Sequence, residues 1–191
     1  MGEPATPADV LTVWFGGEPH APRRQWFAKD PAFDREIARR FGDTVELALA
    51  GGLTDWNAGP TERLARLIVL DQFTRQIHRG SARAFAGDPL ARAEAIALLD
   101  AGQDRALTPL QRVFVLLPLE HAEDLPLQQR AVAGFAALAD QAPDLAGYRD
   151  YAHRHLAVIE RFGRFPHRNR DLGRRSSAAE RAFLAQPGSG F

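Results

Sequence analysis

Apolar residues recur at intervals of three and four along most of the chain, the spacing that puts them on one face of an α-helix. Phe33, Ile37, Phe41, Val45 and Ala48 form one stripe, closed by Gly51-Gly52. Leu64 and Ile68 begin another, which Asp71 and Arg75 continue before Gly80. Further stripes run through 89–101, 109–117, 126–141 and 146–162. Sustained period-two alternation of β-branched and aromatic residues is found nowhere, so no strand is expected.

The helix starts are legible because proline is favoured at the first helical position after a short oxygen-bearing cap. Thr6-Pro7, Asp30-Pro31, Asp88-Pro89 and Thr108-Pro109 fit this rule, and Gly59-Pro60 is a weaker version. Gln111 completes a capping box with Thr108, and Glu180 completes one with Ser177. Pro118 is expected to break its helix just before Glu120-His121-Ala122-Glu123-Asp124, leaving that segment as a bend. Asp124 then caps the next helix, with Pro126 in its first turn. The pattern predicts an all-α protein, a single domain over 1–191 of about seven or eight antiparallel helices. No exact internal repeat is visible, but helix pairs of similar length suggest stacked helical hairpins.

Composition narrows the function classes. Lys plus Arg equals Asp plus Glu at 24 each, so the basic excess expected of a nucleic-acid or anionic-membrane binder is missing. Neither nucleic acid nor membrane is expected as a partner. Without cysteine there is no thiolate nucleophile, disulfide or Cys-ligated zinc. The N-terminal stretch MGEPATPADVLTVWF lacks a basic start and a long apolar run, so no leader is read in it. The longest apolar runs fall well short of the ~20 residues of a membrane helix. The chain reads as soluble, with the cytoplasm as its simplest location.

Polar residues interrupt the apolar stripes at a few positions, and these are the candidates for chemistry. Asp71 and Arg75 are four apart and continue a stripe, with Arg79 one turn further on. Such a pair can be an ordinary helix ion pair worth ~0.2–0.5 kcal/mol. A carboxylate on an apolar face also pays a desolvation cost that pairing relieves, as happens at functional sites. In the last long helix Tyr148, Ala152, His155, Ile159 and Phe162 share a stripe, so His155 points inward and His153 to solvent. A core histidine can be structural, bonded to a carboxylate or carbonyl, or can serve as acid and base.

Two further segments are dense in such groups. Glu120, His121, Glu123 and Asp124 can divide acid and base roles, bind a divalent metal, or favour the dipole of the helix that follows. The stretch ERFGRFPHRNRDLGRR, 160–175, follows a helix that Gly163 can end, and Phe165 before Pro166 is biased to extended backbone. An irregular loop then carries Arg164, His167, Arg168 and Asn169. Its guanidinium forks can bind a carboxylate or phosphate, or pin internal acids. No phosphate loop, GxSxG elbow or GxGxxG is present, which disfavours classical nucleotide folds and serine hydrolases.

The segments VLTVWFG, WFAKDPAFDREIARRF, LDQFTRQIHRGSARAFAGDPLA, LPLEHAEDLPLQQ, HLAVIERFGRFPHRN and LGRRSSAAERAFL occur in this order. Together they resemble one bacterial family, that of domain of unknown function 924, from about residue 9 to the C-terminus. The resemblance implies a tetratricopeptide-like α-α superhelix and carries no activity with it. His121, Arg164, Phe165, Pro166, His167, Arg168 and Asn169 match the family's pattern, and His155 rather than His153 falls on its histidine. Thr74-Arg75-Gln76 stands where the pattern has Pro-Arg-Asn, so Arg75 matches and its neighbours do not.

Three functions follow as expectations. In the first, a polar cleft binds a small anionic molecule and acts on it by acid-base chemistry. His121, His155, Glu120 and Asp71 would be its catalytic groups, and Arg75, Arg79, Arg164, His167, Arg168 and Asn169 its ligand-binding groups. In the second, the helical groove takes a partner peptide and the charged motifs are a structural clamp. In the third, the protein is a metal-dependent enzyme. No metal site is assigned, and the sequence names no cofactor and no oligomeric state.

Overall fold

The computed structural model describes residues 5–17 and 20–190. Part of the N-terminal stretch read for a leader, residues 1–4, lies outside them. Among the described residues there is no strand, and the fold is all-α.

The helices are α1 (Pro7–Phe15), α2 (Pro31–Leu49), α3 (Pro60–Leu67), α4 (Thr74–Ile77), α5 (Asp88–Asp100), α6 (Pro109–Glu120), α7 (Leu125–Gln141), α8 (Ala146–Phe162) and α9 (Ala178–Leu184). Their starts follow the capping chemistry of the sequence. Thr6 and Asp9 form a capping box on α1, Asp30 accepts from Ala32 N and Phe33 N on α2, and Thr108 and Gln111 exchange bonds on α6. Ser177 and Glu180 form a box on α9, and Asp124 accepts from Leu127 N on α7.

Two starts and stops differ from expectation. Gly87, not Asp88, is the N-cap of α5. Asp88 is drawn away by Arg75, whose guanidinium donates to its carboxylate at 2.7 Å. Pro118 does not break its helix, for α6 runs through it to Glu120. The proline stands in the last turn, where its missing N–H costs a single bond, and buried Leu117 and Leu119 hold the backbone in place on either side.

The chain forms two compact units, Met1–Arg79 with Arg83–Pro118, and Gly80–Ala82 with Leu119–Phe191. The core of the first is aromatic. Trp14, fully buried, stacks on Trp26 and Phe33 and meets the edges of Phe73 and Phe114. Between α3 and α4 the helix widens into a π-helical turn, Ile68–Phe73. Every residue from Leu67 to Thr74 is buried. Gly87 lies so close to this turn that a Cβ built on it would stand 2.0 Å from the Leu70 carbonyl oxygen.

In the second unit α7 and α8 form a hairpin joined by the short link 142–145, and Phe135 stacks on Tyr148 across it. Burial pushes the Tyr148 phenol up to about 12, so this ring is a neutral packing group. Val158, Ile159 and Phe165 form a further core, with Phe162 and Phe183 packed against it. No helix among the described residues is long and apolar enough to cross a membrane.

Candidate functional site

The polar groups of the second unit gather around one aromatic ring. Gly163, in the left-handed conformation at φ 67°, ends α8 and reverses the chain. Phe165 then takes extended backbone, as a residue before proline must, and Pro166–Arg168 make one tight turn. The main chain of Phe165 is held at both ends. Its N–H donates to Glu123 Oε1 at 2.8 Å, and its carbonyl accepts from Arg174 at 3.1 Å.

With its backbone fixed and its side chain fully buried, the Phe165 ring serves as a hub. His155 meets it edge-on at 5.5 Å and His167 lies against it at 5.6 Å between ring centres. The Arg168 guanidinium sits over it at 4.5 Å, close enough for a cation–π contact. His121, from the turn after α6, lies 6.5 Å from the His155 ring.

His155 is buried at 5% exposure, and the helical register that aims it inward leaves His153 exposed. Its Nδ1 lies 3.0 Å from the Tyr151 carbonyl and 3.2 Å from Glu120 Oε1. Two acceptors at one nitrogen assign the proton to Nδ1 and leave the lone pair of the neutral ring on Nε2. Burial pushes the imidazole down to about 3, with the positive fields of His121, Arg168 and His167 acting in the same direction and the Tyr151 carbonyl against it. The Glu120 carboxylate that meets the same nitrogen is itself only 3% exposed. The arrangement is that of a carboxylate-oriented, uncharged imidazole bordered by the Arg168 guanidinium and two further imidazoles.

Not every candidate of the 160–175 loop reaches the hub. Arg164 forms two parallel bonds to Glu180, Nε to Oε1 at 2.7 Å and NH2 to Oε2 at 2.9 Å. Asn169 accepts from Arg174 Nε at 2.9 Å and donates to Ser176 at 3.1 Å. These two organise the loop, whereas His167 and Arg168 face the ring. Asp71, Arg75 and Arg79 belong to the first unit. Asp71, at 2% exposure, receives Gln72 and lies 3.4 Å from Arg75, which also reaches Asp88. Arg79 is paired with Asp34 at 3.1 Å.

Several pairings are not assigned by the sequence, which says only that the guanidinium groups of the loop can pin internal acids. Glu123 and Arg174 are 51 positions apart yet form a two-pronged pair. Gln128, fully buried in the first turn of α7, donates its amide to the carbonyls of Glu120 and Ala122 and so clamps the turn that carries His121. Glu180 could be read as a cap, but its second role as the Arg164 partner could not. Among the described residues no group of three or more His, Asp or Glu side chains is placed to hold a metal ion.

Comparisons with known proteins match nearly the whole chain. The family described as "Bacterial protein of unknown function (DUF924)" matches residues 10–188. A solved structure of a protein of unknown function from Agrobacterium tumefaciens is similar at 40% identity and a TM-score of 0.82, covering 94% of this chain and 96% of that one. No curated protein matches the chain. With nearly its whole length aligned to both the family and the solved relative, the chain belongs to the bacterial DUF924 family of proteins of unknown function.

Proposed function

We propose that the second unit binds a small anionic molecule beside the Phe165 ring and that the His155–Glu120 pair transfers a proton to or from it. The observation that carries this reading is the gathering of Arg168, His121 and His167 around a buried, neutral histidine oriented by a carboxylate. A carboxylate or phosphate in this place would receive a charge-assisted bond from Arg168 and hydrogen bonds from the imidazoles. It would also raise the proton affinity of His155 by countering the fields that depress it, bringing an otherwise weak base toward a useful range.

A second reading is favoured by the two-pronged pairs Arg164–Glu180 and Arg174–Glu123. They make the loop a structural clamp, in a helical module that could present its surface to a partner peptide. The two readings differ in what anions do. Under the first, phosphate or citrate raises the melting temperature of the wild type, and Arg168→Gln and His121→Ala abolish that rise. If neither anion shifts the wild type, and both variants only lower its stability, the clamp reading stands alone.

A further inference from the structure

Two arginines on the outer side of α8 each lie on an aromatic ring. The Arg154 guanidinium sits over Tyr151 at 5.0 Å, and that of Arg161 over Phe162 at 4.7 Å and over Phe183 of α9 at 6.0 Å. Both arginines are exposed and Tyr151 is 52% exposed, while Ala152, His155 and Ile159 bury the other side of the helix. Among the described residues neither guanidinium forms an ion pair, whereas Arg149, Arg164, Arg170 and Arg174 of the same unit each do. An ordinary surface arginine gains little from a carboxylate, because ordering its long side chain offsets the attraction. A guanidinium already resting on a ring is partly ordered before a partner arrives, and its N–H groups remain available to a carboxylate. Arg154 and Arg161 are seven positions apart in one continuous helix, so they share a side of it about 10 Å apart along the axis.

We propose that this side of α8 docks an acidic protein segment carrying two carboxylates about 10 Å apart, one for each ring-backed arginine. That spacing corresponds to three residues of an extended segment or seven of a helix. A small dicarboxylic acid such as succinate is too short to reach both arginines, so the surface calls for a chain rather than a metabolite. It stands apart from the Phe165 cluster and from both readings of that cluster. Nucleic acid fits the surface less well. Asp150, 3.3 Å from Arg149, and Glu160 are exposed on the same helix and would repel a continuous phosphate backbone. The balance of 24 basic and 24 acidic residues in the whole chain also gives a polyanion no general attraction.

NMR titration of the full chain, followed at the arginine Nε–H signals, tests this with matched peptides of Gly, Ser and one Leu. One carries two glutamates three residues apart, one carries them adjacent, and one carries two glutamines three apart; a single-stranded oligodeoxynucleotide is the polyanion control. The spaced diglutamate peptide should move the Arg154 and Arg161 signals and bind about tenfold tighter than its glutamine counterpart, two exposed pairs acting together. It should also bind tighter than the adjacent pair and weaken as salt is added. Arg154→Gln with Arg161→Gln should bring the glutamate-to-glutamine ratio close to one. Arg24→Gln with Arg35→Gln, which removes the same charge from exposed positions elsewhere, should leave it unchanged. Equal affinity for the glutamate and glutamine peptides, or no binding of either, would overturn the proposal. So would a ratio that survives the Arg154 and Arg161 substitutions, since the peptide would then sit elsewhere. An oligodeoxynucleotide bound tighter than every peptide at the same two arginines would overturn the acidic protein segment as the partner.

Discussion

Arg174 and Glu123 face each other through two parallel hydrogen bonds, NH1 to Oε2 at 2.6 Å and NH2 to Oε1 at 2.8 Å. The same two residues also hold the amide and the carbonyl of Phe165. One ion pair thus fixes both ends of the residue on which the histidines and Arg168 converge. Arg174→Ala should cost about 2 kcal/mol, less than the ~3–5 of a fully buried pair because about a quarter of each side chain is exposed. It should also weaken any anion response, whereas a variant at exposed Arg170 should change neither property. Chemical denaturation and thermal shift with phosphate, run in parallel, check both.

Acid should loosen this loop at a predictable point. Burial works to raise the Glu123 carboxyl, but Arg174 and the Phe165 amide outweigh it and hold the group below its usual value. The bonds from Arg164 and from the Ser177 amide hold Glu180 at about 2. A carboxyl depressed by folding stabilises the native state above its unfolded pKa of ~4.3 and loses that contribution as pH falls through the folded value. The contribution of these two carboxyls should therefore be level above pH ~5 and decline toward pH 2. Hydrogen exchange at the Phe165 and Glu180 amides, or the pH at which α9 frays, would report it.

His155 acts over a different window. Its folded pKa, about 3, lies below the ~6.5 of an unfolded histidine, so the unfolded chain binds a proton first. Its contribution is complete above pH ~6.5 and is lost progressively as pH falls toward 3. Stability should already decline between pH 7 and 5, and His155→Gln should remove that part of the slope. Nitrogen-resolved NMR should find the ring neutral and protonated on Nδ1 at pH 5.

Arg75 in the first unit stands between Asp71 and Asp88. Arg75→Met would remove the guanidinium that stands between two carboxylates, one of them almost wholly buried, and should cost about 3–5 kcal/mol. Adding Asp71→Asn and Asp88→Asn to that variant should recover much of the loss. A stability as low in the triple variant as in the single one would argue against the pairing.

Gly87 should resist the smallest substitution. Its backbone is ordinary, at φ −81°, so alanine meets no conformational penalty there. The obstacle is the Leu70 carbonyl, 2.0 Å from where the methyl group would stand. Gly87→Ala should destabilise by about 3 kcal/mol, at or above the upper end of ordinary overpacking. A melting temperature equal to that of the wild type would show that α5 can shift away from the turn.

Elements governed by local rules were readable from sequence. Thr6, Asp30, Asp124 and Ser177 cap their helices because a cap needs only neighbours within three residues. The inward aim of His155 and outward aim of His153 follow from helical periodicity alone. What escaped reading depends on distant partners. Asp88 is an N-cap by its local sequence, yet Arg75 outcompetes the backbone for its carboxylate. Nothing in periodicity links Glu123 to Arg174, or tells that Arg164 and Asn169 serve the loop while His167 and Arg168 face the hub. The π-helical turn is equally silent, because a run buried on every side, Asp71 and Gln72 included, has no outer face whose spacing an extra residue could shift.

That turn sets a limit on how the first unit can breathe. An ordinary amphipathic helix keeps one face in water and exchanges its outer amides through small local openings. From Leu67 to Thr74 there is no outer face. Solvent can reach this stretch only when the helices packed against it separate, so its amides should exchange at the rate of global unfolding and serve as an internal gauge of the unit's full stability.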